Sequence, residues 1–331
     1  MNLLTFTGKG IYCEEGDFYI DPWQPVKKAV ITHAHSDHAT YGHAKYLATQ
    51  LTLPILHHRL GNQNYTGLDY GQTLKINGVN ISFHPAGHII GSAQVRVESK
   101  GETWVVSGDY KIHNDGLSTP FEPVRCHHFI TESTFGIPAF RWVDPKIVFE
   151  QINQWWEKNA TLGKTSILSV YALGKAQRIL QNVNHDIGPV WAHGAVENMN
   201  TILRNAGHPL KQGNKTNLSN HQELARALVL VTPGSIQSSW FKRLKNHSLG
   251  YASGWMNLRG VKRRRGVDVG FVLSDHADWD GLIQAIEATG ADSIYVTHGY
   301  TQIFSRFLNE NGWDAQPILT EYGNEHENEV E

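Results

Sequence analysis

The chain has 331 residues, 40% hydrophobic and 18% charged, with a formal net charge of −2, which is the make-up of an ordinary globular protein of one large or two medium domains. No apolar run approaches the ~18 residues needed to cross a bilayer, and Met1 to Gly10 lack a basic segment followed by an apolar one, so neither a membrane span nor a signal peptide is expected. Two cysteines, Cys13 and Cys126, cannot build a thiolate zinc ribbon or a secreted disulfide scaffold, and a cytoplasmic enzyme is the simplest reading.

In chain order, the first 135 residues are rich in short β signals. Phe18-Tyr19-Ile20 runs into Asp21-Pro22, and Ala29 to Thr32 runs into a histidine cluster. Val79 to Phe83 and Ala93 to Glu98 alternate with period two, and Thr103 to Val106 ends in Ser107-Gly108-Asp109. The middle changes character. A helix is expected over Pro145 to Asn159, with Ile147, Ile152, Trp155 and Trp156 as its apolar members. A strand over Ser166 to Val170, a helix over Leu173 to Val183, a strand over Ala225 to Val231 and a helix over Ser238 to Leu244 follow. Strand–helix alternation of this kind predicts a parallel α/β unit. Further on come a strand over Val269 to Leu273, a helix over Trp279 to Ala288, a strand over Ser293 to Thr297, a helix over Gln302 to Leu308 and an edge strand over Pro317 to Thr320. The two ends resemble each other and the middle reads as an insertion.

Charge is unevenly spread. Phe241 to Gly266 carries Lys242, Arg243, Lys245, Arg259, Lys262, Arg263, Arg264 and Arg265 with no acidic residue, whereas Glu325, Glu327, Glu329 and Glu331 make the tail acidic. The tail is expected to be disordered. The basic residues Lys262 to Arg265, shortly before His276, suit phosphate contacts, which give affinity without reading sequence. Trp240 and Trp255 could stack bases, but core packing is the stronger expectation for tryptophan.

The chemistry concentrates in His33-Ala34-His35-Ser36-Asp37-His38. In extended chain, residues two apart point to one side, so His33 and His35 can grip one ion, and Asp37 and His38 a second as the chain turns. Imidazole and carboxylate suit zinc or manganese without thiolate, and the spacing is not that of a helical zincin. Three further candidates sit where strands end: His88 after Pro85-Ala86-Gly87, Asp109, whose carboxylate could bridge two ions, and His298 in Val296-Thr297-His298-Gly299. Gly87 could let backbone approach a metal closely.

These motifs, His-x-His-x-Asp-His, Ala-Gly-His and Gly-Asp in succession, resemble those of the metallo-β-lactamase superfamily. The resemblance implies a four-layer αββα sandwich with two divalent metal ions at one edge of the sheets, zinc or manganese, and an aspartate behind the ligands, Asp21, that orients them. Thr131-Glu132-Ser133-Thr134, Ser274-Asp275-His276-Ala277-Asp278 and Val296-Thr297-His298-Gly299 resemble motifs A, B and C of the β-CASP nucleases. Tyr171 to Gln177 is similar to the first strand–helix unit of their cap domain. The implied organisation is an α/β fold with a metallo-β-lactamase domain over residues 1–140 and 269–322, an inserted α/β β-CASP domain over 141–268 roofing the metal site, and a tail over 323–331. His33, His35 and His88 would hold one ion, Asp37, His38 and His298 the other, with Asp109 bridging. Asp37, Glu132 and His276 would carry catalysis, His276 as proton donor oriented by Glu132.

Gly108-Asp109-Tyr110-Lys111, Phe129 to Gly136, and Arg263-Arg264-Arg265-Gly266 leading to Leu273 to Trp279 further resemble the bacterial ligase-associated DNA exonuclease family. That implies processing of DNA ends in repair, alongside an ATP-dependent DNA ligase and a helicase. A histidine at motif C, His298, is typical of RNA-processing members and keeps an RNA substrate as the alternative. Gly163-Lys164-Thr165 imitates the end of a P-loop, but the earlier glycine is missing and the apolar strand follows rather than precedes it. A metal-poor binding subunit is the rival from another class, and the intact ligand set argues against it.

Overall fold

The structure, a computed structural model, describes residues 2–215 and 224–318. The acidic tail, 323–331, and Thr320 of the expected last strand lie outside the described residues. The chain divides into two compact units, one formed by residues up to Arg141 and from His276 onward, the other by Trp142–Asp275.

In the first unit, short strands alternate between core and surface. On β2 (Gly10–Cys13) Ile11 and Cys13 are buried while Tyr12 is half-buried, and on β3 (Phe18–Ile20) Phe18 and Ile20 face inward. With β1 (Thr5–Thr7), β4 (Ala29–Val30), β5 (Tyr46–Thr49) and β6 (Tyr65–Leu68) they form a six-stranded sheet in the order β1-β2-β3-β4-β5-β6. Helix α1 (Leu53–Leu60) connects β5 to β6, which pair in parallel. The second sheet has seven strands, ordered β19-β18-β11-β10-β9-β8-β7, from β7 (Thr73–Ile76), β8 (Val79–Pro85), β9 (Ala93–Ser99), β10 (Glu102–Val106), β11 (His128–Ser133), β18 (Ser293–Gly299) and β19 (Asp314–Pro317). One apolar core joins the two sheets. Ile11, Phe18, Ile20 and Val30 from the first meet Ile81, Val95, Trp104 and Ile130 from the second, so burial on facing sheets stabilises the unit. The other face of the seven-stranded sheet, with Val105, Phe129, Ile294 and Val296, packs on α7 (Trp279–Thr289) and α8 (Thr301–Glu310) through Leu282, Ile286, Phe304 and Leu308. Asp278 caps α7 by accepting the Gly281 N–H at 2.9 Å, and Gly290 ends it in the left-handed conformation.

The second unit is built on a parallel sheet, order β14-β13-β15-β12-β16-β17, from β12 (Thr165–Ser169), β13 (Val190–Ala192), β14 (Asn214–Lys215), β15 (Leu228–Val231), β16 (His247–Ala252) and β17 (Val269–Phe271). Both faces are covered, which is why the central strand β15, Leu228–Val231, reads as an unbroken apolar run. Helices α2 (Pro145–Thr161), α3 (Lys175–Asn182) and α4 (Gly194–Asn205) pack on one face around Ile152, Trp156, Ile179 and Leu230. Trp240 on α5 (Ser239–Arg243) helps cover the other, with Ile167 and Val229.

Three expectations are corrected. The stripe that α2 buries is Val148, Ile152 and Trp156 with Phe149, at helical spacing, while Ile147 is exposed. Residues Val269 to Phe271 pair with Gly250 to Ala252 in the parallel sheet, so they close the middle unit rather than open the last segment, and the boundary falls at Asp275/His276 instead of 268/269. The last strand among the described residues is Asp314–Pro317, earlier than the expected Pro317 to Thr320, because Ala315 is the residue that packs into the core beside β18.

Candidate metal centre

The histidine cluster begins where β4 ends. Ile31 N–H still bonds to Leu47 at 2.8 Å, and the chain then leaves the sheet as a short loop closed by Ala39 N–H on the His35 carbonyl at 2.9 Å. Arg59 of α1 donates to the Ala34 carbonyl at 2.5 Å, pinning the loop between the first two histidines.

Two groups of donor atoms result. His33, His35, His88 and Asp109 form the first, Asp37, His38 and Asp109 the second, and within each the donor atoms lie within 4.8 Å of one another. His35 Nδ1 is 3.1 Å from His33 Nε2 and 3.0 Å from His88 Nε2. Three ring nitrogens gathered at that range place their lone pairs on a common point, the arrangement a cation satisfies. Asp109 divides its carboxylate between the groups, Oδ2 lying 3.4 Å from His33 Nε2 and Oδ1 3.4 Å from His38 Nε2. His38 Nε2 is buried and, among the described residues, has no hydrogen-bond partner. An orphaned buried nitrogen costs free energy unless something binds it, so the donor set fits two divalent cations.

Asp21 follows β3 with a positive φ of 43°. Its Oδ1 accepts the Thr32 N–H at 2.8 Å, and its Oδ2 accepts the Thr32 hydroxyl at 2.5 Å and His38 Nδ1–H at 2.7 Å. The last bond keeps a proton on Nδ1, so Nε2 is the nitrogen that a cation would bind in place of a proton.

Electrostatics follow from this crowding. Burial and the neighbouring imidazole of His38 hold His33 well below its ordinary pKa, which keeps it a neutral donor. Burial opposes charge on His38 too, but the carboxylates of Asp109 and Asp37 outweigh it and push its pKa well up. Burial would raise Asp109, yet His38, His276 and His33 together hold it well below the carboxylate range.

His298 sits differently. It is the extra residue of a bulge, since Glu132 pairs with Thr297 and Ser133 with Gly299, and its φ is +52°. Ser133 Oγ donates to its carbonyl. Its ring stacks on His38 at 5.1 Å, and it lines a small cavity with Asp37 and His38. Among the described residues, neither donor group includes it.

A third group combines Asp109 with Glu132 and His276. Glu132, at the end of β11 and buried, accepts the Tyr110 N–H through Oε1 at 2.8 Å. His276 Nδ1 lies 3.1 Å and 2.9 Å from the two Glu132 oxygens and 4.0 Å from Asp109 Oδ2.

Several contributors carry no legible signal in the sequence. Lys111 Nζ, buried and paired with Asp115 at 2.6 Å, donates to the His88 carbonyl at 3.1 Å. At Gly87, φ +74°, a Cβ would lie 2.3 Å from the Lys111 carbonyl oxygen, so the chain passes close to backbone there. Lys262, Arg263, Arg264 and Arg265 lie on α6 (Arg259–Arg265) of the second unit, where Arg263 and Arg264 are exposed and Arg265 sits over the Tyr251 ring at 5.1 Å. Trp240 and Trp255 are both buried.

No protein-family model matches the chain. A probable DNA ligase of Opitutus terrae is 28% identical over 93% of this chain, an alignment that takes up 30% of the ligase. Endoribonuclease YSH1 of Saccharomyces cerevisiae is 31% identical over 34% of the chain and 14% of its own length. The chain thus spans less than a third of either relative. A crystal structure of a protein of unknown function from Enterococcus faecalis superposes with a TM-score of 0.59 over 89% of this chain and 80% of that one, at 12% identity, which speaks to fold alone. Both similarities agree with the resemblance to the metallo-β-lactamase β-CASP nucleases that the sequence motifs carry. Among the described residues, no helix is long and apolar enough to cross a membrane.

Proposed function

We propose that the protein is a metal-dependent phosphodiesterase, a DNA exonuclease that processes DNA ends in repair. The observation that carries the reading is Asp109, which turns one carboxylate oxygen to each of two donor groups while the Glu132–His276 pair stands against the same side chain. His33, His35 and His88 would hold one ion and Asp37 and His38 the other, joined by His298 from the bulge, with Asp109 between them and Asp21 orienting. Two cations so held, zinc or alternatively manganese, supply Lewis acidity toward a phosphodiester and an activated water.

The chain's own residues do the rest. Glu132 accepts the Nδ1 proton of His276, which leaves Nε2 as the atom that passes a proton to the departing oxygen. Arg263, Arg264 and Arg265, with Lys262, contribute phosphate contacts from α6. The parallel β5–α1–β6 crossover must lie on the outer face of the six-stranded sheet, because the inner face is taken by the core. That supports the αββα layering for the first unit, with the second as the β-CASP domain.

Similarity over 93% of the chain to a sequence named as a DNA ligase favours DNA and a ligase as partner; ATP dependence of that ligase, a helicase partner and a cytoplasmic repair reaction rest on the motif resemblance. The similarity to endoribonuclease YSH1 favours the second reading, a ribonuclease in RNA 3′-end processing or degradation. Matched DNA and RNA strands labelled at either end, incubated with zinc- or manganese-loaded protein, separate the two. Progressive shortening of DNA from one end is expected. Intact DNA beside degraded RNA would establish the second reading.

A further inference from the structure

We propose that Thr32 is a positioning residue that makes one carboxylate, Asp21, the common anchor of both metal-binding groups; this rests on the two-metal reading above. Asp21 Oδ2 takes His38 Nδ1–H directly, at 2.7 Å, and so orients the group containing Asp37. The other group is reached through Thr32. The Thr32 hydroxyl donates to the same oxygen at 2.5 Å. With its single proton spent there, Oγ1 can only accept from His33 Nδ1, which lies 3.1 Å away. His33 is thereby held with its proton on Nδ1 and its lone pair on Nε2, the atom turned toward His35 and Asp109.

The surroundings hold Thr32 in place. It is buried, and its N–H donates to Asp21 Oδ1 at 2.8 Å. Gly108, the residue before Asp109, has φ +56°, and a Cβ there would lie 2.7 Å from both Cβ and Oγ1 of Thr32. The missing side chain of Gly108 is therefore the space the hydroxyl relay occupies. One backbone bond and two hydroxyl bonds tie Asp21, both donor groups and the approach to Asp109 to a single threonine.

Thr32→Val isolates the hydroxyl, since valine keeps the shape and the N–H bond to Asp21 that holds the aspartate. Zinc ions alone, titrated calorimetrically into the metal-free full chain against a competing chelator, provide a readout independent of activity. Two binding steps are expected for wild type. In Thr32→Val one step weakens about 10–100-fold, the usual loss when the hydrogen-bond partner of a ligating histidine is removed, and the other is unchanged. In Asp21→Ala both weaken, and Thr32→Ser restores wild-type binding. If Thr32→Val and wild type bind zinc alike, or if Thr32→Ser binds as poorly as Thr32→Val, the relay is wrong. Should Thr32→Val not fold by circular dichroism, the same titration of Thr32→Ala against Thr32→Ser decides. A wild-type chain that takes up no zinc or manganese would instead remove the two-metal reading itself.

Discussion

Glu132 spends three of its acceptor positions on two donors, the Tyr110 amide and His276 Nδ1, and is buried while it does so. A carboxylate so committed orients a ring rather than binding solvent. His276→Ala is therefore expected to lower kcat by about 10²–10⁴ with KM changed only a few-fold, since proton donation acts in the transition state. Glu132→Gln should show the same split in weaker form. A loss confined to KM in steady-state kinetics would mean that the pair binds substrate instead. His43 makes a different residue-scale case, outside the metal groups. Its Nδ1 accepts the Val26 N–H at 3.2 Å and its Nε2 pairs with Thr40 Oγ1 at 3.0 Å, so the folded state needs the neutral ring. Burial lowers its pKa to about 4. The folded pKa lies below the unfolded one, so the unfolded chain binds the proton first. The stabilisation is present above about pH 6.5 and is lost as pH falls toward 4, by at most the ~1.4 kcal/mol per pH unit of a full proton. Urea midpoints measured from pH 7.5 to 5 should fall more steeply for wild type than for His43→Asn; parallel curves would contradict this.

At the scale of elements, the bulge on β18 shows how the sheet serves the site. One extra residue opposite Glu132 and Ser133 turns His298 out of the ladder toward Asp37 and His38. The next residue must then pass close to β11: at Gly299, φ +73°, a Cβ would lie 2.4 Å from the Ser133 carbonyl oxygen. Gly299→Ala should cost roughly 2 kcal/mol or more of stability in chemical unfolding, given a backbone conformation that alanine avoids and a contact with main chain that cannot yield. Unchanged stability would show that the strands separate easily there. The same element marks a limit of reading from sequence. His33, His35, His88 and Asp109 were legible because each stands at a strand end, where donors can converge. The bulge was not, since Val296-Thr297-His298-Gly299 reads as plain strand followed by glycine. Thr32, Arg59 and Lys111 act through hydrogen bonds to partners distant in sequence, and nothing local in their positions announces them. Strand β16 escaped because Gly250 interrupts its apolar run within a basic stretch, yet its lack of a side chain suits the crowding by Leu168, Phe271 and Trp155.

For the molecule as a whole, the division into a two-sheet unit and a doubly covered parallel unit was legible from the change in rhythm near residue 141, where strands separated by turns give way to strand–helix alternation. The second crossing was harder to place, because β17 belongs by pairing to one unit and His276, a few residues on, to the other. Asp275, on the near side of that crossing, is buried and held by Arg178 at 2.5 Å and Lys175 at 3.4 Å. His276 therefore follows directly on an anchored residue. Its side chain is fixed by Glu132, and the Ala277 N–H beyond it bonds to the Tyr110 carbonyl at 2.6 Å. The central claim is that two divalent ions gathered around Asp109 hydrolyse a nucleic-acid phosphodiester. End-labelled DNA incubated with metal-free protein, with the same protein restored by zinc or manganese, and with Asp109→Ala in excess metal tests it most directly. The account predicts no cleavage, cleavage and no cleavage in that order; cleavage by metal-free protein, or undiminished cleavage by Asp109→Ala, would contradict it.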